Sequence, residues 1–255
     1  MKKKVWILFI GWLLGSCAME GSGGDGGDIS SGKGGSMARF AIKGDVLYTV
    51  SSDSLKVFNI EDPANPRYYE QRNIKAGINI ETVFPMDTLL FMGSRNGMYV
   101  YDISEPRFPL LLSQVSHLRS CDPVVAQGNY AYVTLNTNFS SCGGVANNVL
   151  DIYDISDISV PILKNTLSLN GPKGLGIDGA KLFVCDKGLK LFDITDPIYP
   201  RQVDDLVEIE EVDVREAYDV IPLDGLLILV AKEGLFQFDY TGDRIKYVSK
   251  IEIMQ

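Results

Sequence analysis

The chain has 255 residues, 45% of them hydrophobic, enough to bury a sizeable core. Acidic residues outnumber basic ones 33 to 24; setting aside Lys2, Lys3 and Lys4 of the N-terminal leader leaves 33 against 21, a net charge of about −12. A surface of that sign repels phosphate backbones, and no basic stripe with interleaved aromatics stands out, which argues against nucleic acid as a partner.

The first element is a targeting signal. Met1-Lys2-Lys3-Lys4 is a positive lead, and residues 5–14 are apolar apart from Gly11. As a helix that stretch is about 15 Å long, half of what the roughly 30 Å hydrocarbon layer requires, so it reads as a signal peptide (residues 1–16) and not as a span. It ends in Leu14-Gly15-Ser16-Cys17, small residues before a cysteine, in the manner of a bacterial lipobox. The expectation is lipid on Cys17, with the protein held on the extracytoplasmic side of the cell envelope, at the outer membrane. Two or three acyl chains hold a protein on a membrane where one does not. Residues 21–36 follow, 12 of 16 being Gly or Ser. Such a segment buries nothing, so residues 17–37 read as lipidated cysteine plus flexible tether.

From residue 38 onward one phrase recurs five times. It reads Leu55-Lys56-Val57-Phe58-Asn59-Ile60-Glu61-Asp62-Pro63, then Met98-Tyr99-Val100-Tyr101-Asp102-Ile103-Ser104-Glu105-Pro106, then Leu150-Asp151-Ile152-Tyr153-Asp154-Ile155-Ser156-Asp157. The fourth copy is Leu189-Lys190-Leu191-Phe192-Asp193-Ile194-Thr195-Asp196-Pro197, and a worn fifth runs Leu235-Phe236-Gln237-Phe238-Asp239-Tyr240-Thr241-Gly242-Asp243. The marker Asn/Asp residues 59, 102, 154, 193 and 239 are 43, 52, 39 and 46 residues apart. That is the period of a propeller blade, and a unit so short cannot close a core alone.

Each phrase is preceded by a β-branched and aromatic run (residues 46–50, 89–92, 131–135, 181–185, 227–230) behind a Gly, Asn or Asp turn. A first strand lies upstream (83–84, 124–126, 175–177, 219–221) and a last one downstream (110–115, 162–169, 246–253). The count is four antiparallel strands per unit. The third strand is apolar on both parities, Leu189 and Leu191 against Phe192 and Ile194, so both its faces are expected to be covered. The fold class is therefore all-β, a propeller of five four-stranded blades over residues 38–255; a β-sandwich does not explain five copies in phase. The Asp-Ile-Ser/Thr-Asp/Glu-Pro tail reads as turn chemistry, a side-chain oxygen accepting from the N–H two residues on.

The phrase resembles the LVIVD repeat, a family of β-propeller proteins among bacterial and archaeal surface and secreted proteins. The resemblance covers residues 38 to 255, strongest in the second and fourth units. It implies a propeller outside the cytoplasm and no shared catalytic activity.

Cys121 and Cys142 flank a hairpin turning at Gly128, which returns both to one end. A disulfide between them would clamp the insert 136–148, worth about 3 kcal/mol in the chain-entropy model. Cys185 reads as a small buried hydrophobe. With one histidine, His117, no Cys/His metal constellation exists, and neither metal nor cofactor is expected. Gly-x-Ser-x-Gly and phosphate-loop motifs are absent, and no catalytic residue is assigned. Positions at the start of the first strands, Glu81, Asp122, Lys173 and Tyr218 with Arg119 and Glu216 nearby, are the candidates for an axial rim. The reading is a monomeric, membrane-tethered binding module for a protein or glycan, with the insert around Phe139 as contact loop. The alternative is a glycan-processing enzyme with two axial carboxylates.

Overall fold

The computed structural model describes residues 34–69, 74–75, 79–116, 123–137, 148–209, 212–242 and 244–251, and it contains no helix among them. Blade 1 is β1 (Phe40–Lys43), β2 (Val46–Val50), β3 (Ser54–Asn59) and β4 (Arg67–Tyr68), with β5 (Ile74–Lys75) also paired to β3. Blade 2 is β6 (Ile80–Met86), β7 (Leu89–Ser94), β8 (Gly97–Asp102) and β9 (Leu110–Ser116). Blade 3 is β10 (Val124–Gln127), β11 (Tyr130–Leu135), β12 (Val149–Asp154) and β13 (Ile162–Ser168). Blade 4 is β14 (Pro172–Asp178), β15 (Lys181–Asp186), β16 (Leu189–Asp193) and β17 (Arg201–Leu206), followed by a small hairpin, β18 (Glu208–Ile209) and β19 (Val212–Asp213). Blade 5 is β20 (Ala217–Leu223), β21 (Leu226–Ala231), β22 (Gly234–Asp239) and β23 (Lys246–Ile251). Each blade is an antiparallel meander that owns its four strands, and among the described residues no strand is exchanged between the first and last blades.

The repeated phrase explains the packing. In blade 4, Leu189 and Leu191 enter the core shared with blade 5, while Phe192 and Ile194 enter the core shared with blade 3. In blade 2, Met92 and Leu90 face blade 1 and Phe91 faces blade 3. A strand between two neighbours must be apolar on both parities, and this one is. Polar latches add to the junctions. The Tyr48 hydroxyl donates to Pro106 O of the next blade at 2.6 Å, and Tyr132 repeats the contact to Pro197 O at 3.1 Å.

In blades 2 to 5 the register between third and outer strand slips at one repeat position, after Val100, Ile152, Leu191 and Gln237. The unmatched residue lies on the outer strand: Leu112, Lys164, Val203 or Val248. Such a bulge bends the strand and increases its twist.

After the third strand the chain turns as the sequence leads one to expect. Asn59, Asp102, Asp154, Asp193 and Asp239 each accept the N–H two residues on, at 2.7 to 3.0 Å. Hydrogen bonds from Ser156, Ser159, Thr195 and Thr241 hold Asp154, Asp157, Asp193 and Asp239 below the usual carboxylate range, Asp193 at about 2 with Arg201 beside it. Because these values are lowered on folding, the stability they contribute is present above the ordinary value near 4 and lost as pH falls through the lowered ones. Thermal stability is expected to fall steadily from about pH 4 towards pH 2, followed by circular dichroism; a flat profile over that range would contradict the turn assignment.

Candidate functional site

The first strands of all five blades converge on one axial cavity of about 160 Å³. Ala41, Val83, Val125, Leu175, Val220 and Pro222 are among its walls. Its size is below the roughly 300–1,000 Å³ of typical ligand clefts, and no carboxylate lines it among the described residues.

The two ends of the axis differ. At one end lie the turns between first and second strands, with Gly44, Gly128, Gly179 and Gly225 at positive φ, and the phrase tails. At the other end each first strand begins and each second strand ends, as the pairs Ile80↔Ser94, Pro172↔Asp186 and Ala217↔Ala231 establish. Three connections here are long, the segment between blades 1 and 2 that carries β5, the one with the β18–β19 hairpin, and the insert between β11 and β12, beside tight turns between second and third strands in the other four blades. The neck of the insert is closed by Thr137 N–H donating to Asn148 Oδ1 at 3.1 Å.

Four of the rim candidates, Glu81, Lys173, Glu216 and Tyr218, lie at this second end, three of them placed by a feature the sequence does not display. In blades 2, 4 and 5 the first strand bulges just after it starts, leaving Glu81, Lys173–Gly174 and Tyr218 unmatched by the second strand. A bulge re-aims side chains. Glu81 pairs with Arg95 Nε at 2.9 Å. Lys173, Glu216 and Tyr218 come together: the Lys173 ammonium lies 4.3 Å from the centre of the Tyr218 ring and 4.0 Å from Glu216 Oε2. Lys173 is mostly covered, Glu216 and Tyr218 are open to solvent. Asn136 Nδ2 donates to Pro172 O at 2.6 Å and Thr134 Oγ1 to Lys173 O at 2.7 Å, which ties the insert's root to this cluster. Arg119, Asp122, Cys121 and Cys142 with the disulfide expected between them, His117, Phe139, and Cys17 with its expected lipid lie outside the described residues.

Two features are absent from the sequence reading. Asp219, on β20, accepts from Ser36 Oγ at 3.0 Å, Met37 N–H at 3.1 Å and Val220 N–H at 3.0 Å. Ser36, assigned by composition to the tether together with Met37, is 1% exposed, and its Oγ accepts Leu175 N–H at 2.8 Å. Desolvation pushes the Asp219 carboxyl up to about 6, against the hydrogen bonds that pull it down. Cys185 is a free, buried thiol, as expected of a small core residue, and burial followed by the Asp219 charge pushes its pKa up. Among the described residues no three His, Cys, Asp or Glu side chains gather as a metal site.

Residues 119–139 and 142–168 match the LVIVD repeat. The matched LVIVD stretch is blade 3 with its insert, and the other four phrases fall on the same strand of their own blades. Curated proteins give no match. Among solved structures, a protein from Lactobacillus plantarum aligns with TM-score 0.62 at 15% identity, over 82% of this chain and 68% of that one. A functionally unknown protein from Desulfotomaculum acetoxidans gives 0.65 at 8%, over 88% and 69%. A proposed 6-phosphogluconolactonase from Bacteroides fragilis gives 0.57 at 12%, over 84% and 69%. At such identities the likeness is one of fold.

Proposed function

We propose that this LVIVD-repeat propeller is a membrane-tethered, extracytoplasmic binding module that engages a protein or glycan through its loop-rich face. One observation carries the reading: the three longest connections, the root of the insert and the Lys173–Glu216–Tyr218 cluster share a face, while the opposite face repeats one tight turn and one phrase tail in every blade. Loops held on a rigid scaffold are where recognition concentrates. The Lys2–Lys4 lead, the apolar segment and Leu14-Gly15-Ser16-Cys17 support the address. The axial walls favour binding over glycan cleavage, because acid–base cleavage needs two carboxyls about 5 to 9.5 Å apart at the reacting bond.

Two measurements test the reading. Deleting residues 138–147 is expected to lower capture of envelope proteins or arrayed glycans at least tenfold while the melting profile is kept; undiminished capture would remove the insert from the interface. Cys17→Ser is expected to abolish palmitate labelling and move the protein from the membrane to the soluble fraction.

A further inference from the structure

A closed five-blade ring has five junctions, and among the described residues its buried apolar side chains form four clusters, spanning blades 1–2, 2–3, 3–4 and 4–5. No such cluster spans blade 5 and blade 1. Burial along the second strands agrees. In β7, β11 and β15 every residue after the first is buried, whichever way it points. In β21 burial alternates: Leu227, Leu229 and Ala231 are buried against blade 4, while Leu226, Ile228 and Val230 are only half-buried. In β2, Val46, Tyr48 and Val50 are buried against blade 2, while Leu47 and Thr49 are half-buried. Composition is not the cause, since Ile228 and Val230 are as apolar as their buried neighbours. They face the remaining junction, and it does not seal them.

The contacts described across that junction are polar and made by the short segment leading into β1. Ser36 Oγ accepts Leu175 N–H of blade 4 and donates to Asp219 of blade 5, and Met37 N–H donates to the other Asp219 oxygen. Ala38 O accepts Val83 N–H of blade 2 at 2.9 Å. The fit is tight: a Cβ on Gly35 would stand 2.0 Å from Asp219 Oδ2, and one on Gly174 2.1 Å from Oδ1. A Gly-Ser pair is what this spot admits. We infer that the ring opens and closes at the seam between blades 5 and 1, and that residues 35–38, gripped by Asp219, are the clasp that holds it shut.

Opening the clasp returns Asp219 to water. The groups around the carboxyl are Ser36 and Met37 in the clasp, the Val220 N–H on its own strand, Gly174 on β14 and the Cys185 thiol on β15; the neighbouring charge is Lys173, next to Gly174 and itself paired with Glu216. With the closed-state value at about 6 and the ordinary one at 3.8, the closed form binds the proton more tightly. The extra stability of the closed ring is therefore present below the ordinary value and lost as pH rises through about 6.

Hydrogen exchange by mass spectrometry on the full chain tests this. In the wild type, amides of β2, β3, β21 and β22 are expected to exchange at least tenfold faster than those of β7, β8, β11 and β15, after correction for intrinsic rates. Between pH 4.5 and 7.5 the two seam blades are expected to gain about a further twentyfold, from the shift of Asp219. Gly35→Ala is expected to raise exchange in blades 1 and 5 and leave blades 2 to 4 protected, and Asp219→Asn to flatten the pH dependence. Equal protection in all five blades, or variants that loosen all blades alike, would overturn the inference. The wild-type comparison decides the matter by itself if a variant does not fold.

Discussion

Phe183→Ala is expected to lower the free energy of unfolding by about 3–5 kcal/mol, the cost of removing a large aromatic ring that its surroundings cannot collapse to replace. Phe183 is fully buried at the junction of blades 4 and 5 and meets the edge of Tyr240 with ring centres 5.0 Å apart. Tyr240 stands where the other phrases carry isoleucine, and that departure has a use. Its hydroxyl donates to Asp178 Oδ2 at 2.5 Å, and its carbonyl accepts from Lys181 Nζ. Losing the Phe183 ring leaves a cavity and deprives Tyr240 of its packing partner. Phe40→Ala, at a side chain 56% exposed, is the control and is expected to change stability by less than about 0.5 kcal/mol. Urea titration of both variants measures the difference, and equal midpoints would refute the assignment of the core.

Gly188→Ala is expected to cost about 3 kcal/mol or more, because two penalties coincide there. The residue has φ of +135°, and an added Cβ would lie 2.3 Å from Leu206 O. That oxygen belongs to the outer strand, so relief requires pulling β17 off β16. The same pair of constraints recurs at Gly97 against Val115 O and at Gly234 against Ile251 O. Gly179 also has positive φ, +54°, but open space around it, so Gly179→Ala is expected to cost only about 1 kcal/mol. Similar losses for the two variants would show that conformation alone sets the requirement. A threefold ratio would show that the close approach of the outer strand does.

These glycines illustrate what a single sequence displays. The phrase shows its strand, its two-faced apolar pattern and its Asp turn, because each is a local relation among residues a few positions apart. The polar outer strand of blade 4, Arg201-Gln202-Val203-Asp204-Asp205-Leu206, has no such pattern and is defined only by pairing with β16. The clasp is less legible still: Gly34-Gly35-Ser36 looks like linker, and its meaning lies in Leu175, 139 residues beyond Ser36. Likewise β21 reads Leu-Leu-Ile-Leu-Val-Ala, as apolar as strands sealed on both sides, so its half-open face is a property of the ring and not of the strand. Of the rim candidates, the composition of Lys173, Glu216 and Tyr218 gave no sign that they meet, since the bulges that aim two of them depend on register.

The slipped register on four outer strands bears on how these molecules behave beside one another. Leu110, Ile162 and Ile251 leave apolar side chains in solvent along strands that pair with no further strand among the described residues. A regular strand of that composition would offer a template for another polypeptide to add itself, and then another, towards cross-β aggregates. An unmatched residue midway breaks the even ladder that an incoming strand would have to follow, and in blade 3 that residue is Lys164, which also brings charge. The interrupted ladder thus works against edge-to-edge addition when copies are crowded together.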